Sequence, residues 1–108
     1  MIIKKLERVK NALLTVPVNL YHYYAAKKPD KYIVWSEKGE QAAIYGDDNK
    51  QVQILIGIIS YFTKTENDEN VDLIQSALRK HEISFLLDSV EYDESTGFIR
   101  YDWEFKVW

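Results

Sequence analysis

The run Val52-Gln53-Ile54-Leu55-Ile56-Gly57-Ile58-Ile59-Ser60-Tyr61-Phe62 constrains the fold more than any other segment. Alternate residues Val52, Ile54, Ile56, Ile58 and Phe62 define one apolar face, and Leu55, Ile59 and Tyr61 partly cover the other. A strand apolar on both faces reads as the centre of a sheet, with the even set as its main core face. Its longest apolar stretch, Ile54 to Ile59, is far short of the ~20 residues that span a bilayer.

The rest of the chain arranges itself around that strand. Ile2, Leu6, Val9 and Leu13 fall on one stripe of a helix from Ile2 to Leu14, which Pro17 ends. Val18–Tyr24 and Tyr32–Glu37 read as short strands, separated by a loop at Pro29-Asp30. Lys38 to Lys50 holds two glycines and the polar run Asp47-Asp48-Asn49, and it reads as a long loop or loose edge ribbon that orders on contact with a neighbour. Asn67 or Asp68 offers an N-cap for a helix to about His81, with Val71, Ile74, Ala77 and Leu78 as its buried stripe. Ile83–Tyr92 and Phe98–Trp108 form a closing hairpin, whose second strand alternates Ile99, Tyr101, Trp103, Phe105 and Val107 inward with charged residues outward. The order α-β-β-β-α-β-β predicts a single α+β domain over 1–108, a sheet of about five strands with two helices packed on one face.

Little in the chain offers chemistry. There is no cysteine, so disulfides, thiol catalysis and Cys-based zinc sites are excluded. His22 and His81 lack the i, i+4 partner of a metal site, and surface or cap roles suit them better. Gly46-Asp47-Asp48-Asn49 lacks EF-hand ligand spacing. Glu91, Asp93 and Glu94 lie at a hairpin tip, where a solvated turn outweighs glycosidic chemistry. The N-terminus mixes charge with apolar residues at once, unlike a secretory signal. The expectation is a non-enzymatic protein with no cofactor, made in the cytoplasm.

Charge is unevenly distributed along the chain. Residues 1–38 carry eight Lys/Arg against three Asp/Glu, whereas 39–108 carry six against fourteen. A solvated lysine-decorated helix explains this; so does a polar molecule that associates head to tail, basic surface to acidic surface. On the second reading Lys4, Arg8, Lys27 and Lys28 of one copy meet Asp47, Asp48, Glu91 and Asp93 of the next. Specific nucleic-acid binding fits poorly, because the net charge is −3.

Several segments together carry a family likeness. They are the opening helix, Val16-Pro17-Val18 with Tyr21-His22-Tyr23, Lys31-Tyr32-Ile33-Val34-Trp35-Ser36-Glu37, Ile58-Ile59-Ser60-Tyr61-Phe62-Thr63-Lys64, Ile74-Gln75-Ser76-Ala77-Leu78, and the hairpin from Glu91 to Glu104. In these the chain resembles the tail-completion or tail-terminator proteins of long-tailed phages and prophages of Gram-positive bacteria. The resemblance implies a cyclic oligomer, a hexamer, that caps the tail tube and joins it to the head connector. Its partners would then be itself, the tail tube protein and the connector or stopper protein, with no membrane and no specific nucleic acid. Its place would be the host cytoplasm during assembly and the head–tail junction of the virion afterwards. A cytoplasmic immunity or inhibitor module is the competing class, supported by size, acidity and aromatic content.

Overall fold

The computed structural model describes residues 2–45 and 50–108. Its elements are α1 (Ile2–Leu14), β1 (Asn19–His22), β2 (Lys31–Tyr45), β3 (Lys50–Thr63), α2 (Asn70–Lys80), β4 (Ser84–Asp93) and β5 (Phe98–Val107). The five strands make one mixed sheet in the order β1-β2-β3-β5-β4. β1 runs parallel to β2, and every other neighbouring pair is antiparallel. The fold is therefore α+β with the expected element order, and β3 is central.

Both helices lie on one face of the sheet. Val9, Ala12 and Leu13 of α1 and Ile74, Ala77 and Leu78 of α2 join one core with Ile33, Trp35, Leu55, Ile59, Tyr61, Trp103, Phe105 and Val107. Trp103 is fully buried, and its indole Nε1–H donates to Gln75 Oε1 at 3.0 Å, tying α2 to the middle of β5. The inward alternation expected of β5 is what the sheet uses.

The core face of β3 is the opposite of the expected one. Leu55, Ile59 and Tyr61 point into the helix-covered core, whereas Ile56, Ile58 and Phe62 are half-buried on the open face. Of the even set Ile54 is buried, outside that core. The count of apolar residues favoured the wrong side because a glycine sits in the odd set. A Cβ on Gly57 would stand 2.3 Å from the Ser36 carbonyl oxygen and 2.5 Å from Cζ of Phe105, so the Phe105 ring occupies the space a side chain would need. Ile59→Ala is accordingly expected to cost about 2–5 kcal/mol through lost burial and a cavity. Ile56→Ala, already half in water, should cost about 1 kcal/mol. Urea titration of both variants checks this, and equal costs would refute the face assignment.

Of the loop and the ribbon expected over Lys38–Lys50, the described residues form a ribbon. β2 continues through Gly39 to Tyr45, and β3 begins at Lys50; residues 46–49 lie outside the described residues. Gly39 allows this, since the register shifts between Glu37 and Gly39 and its φ of 155° is closed to most L residues. Pairing of β3 with β5 ends at Leu55, but β2–β3 pairing runs on from Gln41 and Ile54 to Tyr45 and Lys50. A two-stranded ribbon thus projects from the body, and the molecule measures 53 × 24 × 22 Å. The Lys5 ammonium donates to the Gln53 carbonyl at the ribbon's base.

Asp68 organises the chain between β3 and α2. Its carboxylate accepts from the Tyr61 and Thr63 hydroxyls, both at 2.7 Å, and from the Asn70 N–H at 2.9 Å, with the Lys31 ammonium at 3.4 Å. The cap position itself is Glu69, whose side chain makes no capping bond; Asp68 does that work from one residue upstream. Burial pushes the Tyr61 hydroxyl up to about 12, helped by its bond to Asp68.

Candidate functional site

Parallel neighbours cannot be joined by a tight turn, so the chain leaving β1 must cross a face of the sheet before entering β2. The helices cover one face, and residues 23–30 cross the other. Tyr23 starts the crossing at a φ of 74°, with its N–H on the Trp35 carbonyl. On the far side stands the β4–β5 turn, where Asp93 Oδ1 accepts from the Ser95 N–H and hydroxyl and Gly97 takes a φ of 77°. Those bonds from Ser95 hold the exposed Asp93 carboxyl below the usual carboxylate range.

Between these two walls runs an open groove. One part, of about 450 Å³, lies between Lys28 and the acidic wall of Glu91, Asp93 and Glu94. The other, of about 470 Å³, runs toward Tyr24, Ser36 and Ile58, and both share Lys28, Tyr32, Phe62 and Arg100. The floor is aromatic. Tyr32 stacks on Phe62 with centroids 4.6 Å apart, Phe98 meets both rings edge-on, and the Arg100 guanidinium lies 5.5 Å from the Phe62 centroid. Arg100 also donates to Asp102, which accepts from the Ser60 and Ser89 hydroxyls of the flanking strands. Arg100, Ser60 and Ser89 thus meet on one carboxylate and tie the three strands together beneath the groove. The arrangement suits contact with a surface or an extended segment better than bond-making.

The expected interface residues are distributed unevenly over this framework. Lys4 is exposed on α1, but Arg8 is half-buried and donates to the Trp108 carbonyl at 3.1 Å, so it clamps α1 to the end of β5. Lys27 and Lys28 are exposed on the crossing segment. Lys28, Glu91 and Asp93 come together around one groove of the same chain, and no ion pair joins them among the described residues. Asp47 and Asp48 lie outside the described residues. The aromatic floor escaped the sequence reading, although Phe98 and Arg100 on the outward side of β5 signalled it.

The histidines are held by neighbours. His22 is sandwiched between Tyr23 and Trp35, with centroids 3.8 and 3.9 Å away, and its Nε2 meets Glu37 at 2.9 Å. His81 Nδ1 lies 3.0 Å from the Ala77 carbonyl at the end of α2. Among the described residues no cluster of three His, Asp or Glu could hold a metal ion. Among the described residues no helix is long and apolar enough to cross a membrane.

The sheet's edges form a second kind of surface. β4 is a ten-residue edge strand carrying Asp88, Glu91 and Asp93 and no Lys or Arg. Leu87, Val90 and Tyr92 on its helix side are 42, 50 and 64% exposed. Toward the other edge, Leu14 on the helix side is 57% exposed and Tyr24 on the open face is 74% exposed, and Asn19 to Lys28 carries two Lys and no acid.

No protein-family profile matches the sequence, and no curated protein matches it. Among solved structures, the chain is similar to one described as "Virion of native gene transfer agent (GTA) particle", at 15% identity and a TM-score of 0.50. The match covers 91% of this chain and 81% of that one. At that identity the likeness is one of fold.

Proposed function

We propose that the protein is a non-enzymatic structural component of a phage-like virion, acting as a tail-completion protein. In this reading it forms a ring, a hexamer, that caps the tail tube and presents a surface to the head connector. The fold shared over most of its length with a gene transfer agent virion chain carries the virion part. The resemblance to tail-terminator proteins supplies the finer placement. An open groove and exposed apolar edges are surfaces suited to a protein whose work is contact.

Deleting the gene should give filled heads and tails that fail to join, and immunogold labelling should decorate the head–tail junction. Normal yields of joined particles after deletion would refute the tail-completion role. Absence of the protein from purified particles would refute a virion role altogether.

A further inference from the structure

The two parts of the open-face groove share a floor and make one channel along the strands. It runs from Ser36 and Ile58, over Tyr32 and Phe62, to the β4–β5 turn. Ile58 and Phe62 lie on one strand and the turn lies beyond Phe98, so the channel is about 20 Å long and matches about six residues of extended chain. Its ends differ in chemistry. Val34, Ile58 and Tyr24 make one end apolar. At the other, Glu91, Asp93 and Glu94 are exposed on one wall, and none of them makes an ion pair among the described residues. The nearby cations have carboxylates of their own. Arg100 holds Asp102 at 2.9 Å, and Lys64, which does not line the groove, faces Asp30 at 3.5 Å. That leaves Lys28 on the opposite wall against three carboxylates. The floor adds to the negative potential, for Arg100 and Lys64 lie 5.5 and 5.0 Å from the Phe62 and Phe98 centroids, where a ring's quadrupole attracts a cation.

We infer that this groove is a docking slot for an extended segment of a partner protein, basic at one end and apolar at the other. An Arg or Lys of the segment lies over the aromatic floor with its charge toward Glu91 and Glu94. An aliphatic or aromatic residue about four positions away fills the space between Tyr24 and Ile58. Both walls are anchored in the free chain, one by the Tyr23 N–H on the Trp35 carbonyl and the other by Asp93 on Ser95. Anchored walls lower the ordering cost of binding. An acidic segment or a nucleic-acid strand would meet three carboxylates with one lysine to offset them, and repulsion disfavours both. The inference goes beyond the tail-completion reading and does not depend on it, because the groove's shape and charge belong to the single chain.

Amide NMR spectra of the purified protein, titrated with end-blocked peptides at low salt, provide the test. The probes are Arg-Arg-Gly-Ser-Leu-Tyr, the same residues in reverse order, and both with Glu in place of Arg. At least one basic peptide should move the signals of Phe62, Glu94, Phe98 and Arg100 and leave those of α1 unmoved, and the acidic peptides should move none. Glu91→Gln with Glu94→Gln should weaken binding about tenfold, the worth of two exposed charge pairs. Lys28→Glu should tighten it about threefold, since it removes the one cation that a basic segment must pass. All three positions are exposed, and the spectra of the free variants report whether the fold is intact. Raising salt should weaken the complex, because exposed charges are screened beyond ~10 Å at 0.1 M. Shifts of the groove signals by an acidic peptide or by a thymidine oligonucleotide would overturn the inference, as would weaker binding to Lys28→Glu. Basic peptides that shift only another surface, or nothing at millimolar concentration, would overturn it too. Loss of labelling at the head–tail junction would refute the tail-completion role and leave this inference standing.

Discussion

Replacing Asp68 by alanine is expected to cost about 3–5 kcal/mol of folding stability, as loss of one member of a buried charged network does. The cost is large because of what stays behind. Tyr61 and Thr63 are fully buried, and their hydroxyls would lose their common acceptor together with the Asn70 N–H. Asp68→Asn retains one carbonyl oxygen for these donors and should cost about 1.5–3 kcal/mol, the value of hydrogen bonds to a charged group. Burial by itself would raise the Asp68 carboxyl. Hydrogen bonds from Thr63, Tyr61 and Asn70, with the Lys31 cation, outweigh it and hold the carboxyl below its ordinary range. The stabilisation is thus fully present above the unfolded value, near ~3.9, and is lost as pH falls through the lower folded value. The gap between wild type and Asp68→Asn should therefore narrow on acidification. Urea titrations at neutral and acidic pH measure that gap, and a gap that widens in acid would contradict this account.

Trp103→Ala should be comparably severe, at about 3–5 kcal/mol, the range for removing a large buried aromatic. The indole has no exposed surface, stacks with Tyr101 at 6.0 Å and holds Gln75 of α2. Removing it leaves a cavity between α2 and the sheet. Trp103→Phe keeps most of the ring contact but strands the Gln75 carbonyl, and about 1–2 kcal/mol is expected. Denaturant midpoints with unchanged slopes would separate a stability effect from a change in compactness. A loss below about 1 kcal/mol for Trp103→Ala would place α2 elsewhere.

What could be read from residues alone followed from periodicity. The stripes of α1 and α2 and the alternation of β5 each assign a side chain to a face by one repeat, and the buried residues follow. β3 escaped that rule because both of its faces are apolar. Its core face was decided by a neighbour, Phe105, lying over a glycine. β2 was read as six residues rather than fifteen because Gly39 resembles a terminator in sequence but serves as a bulge in the sheet. The candidate surfaces depend on contacts across long stretches of chain. Nothing local to Lys28 announces Glu91 and Asp93, and nothing local to Arg8 announces Trp108.

Gly57 has a consequence for how the sheet finds its alignment. Sliding β3 by one residue against its partners would exchange its faces and set Ile56 or Ile58 where Gly57 now leaves room for Phe105. Sliding by two would keep the faces, and Leu55, Ile59 and the flanking isoleucines present much the same surface after such a slip. The gap at Gly57 breaks that degeneracy. A two-residue slip would drive the Leu55 or Ile59 side chain into the ring of Phe105, which is fully buried and has nowhere to swing. A residue with no side chain thus acts as the notch that lets a nearly repetitive strand lock in a single alignment.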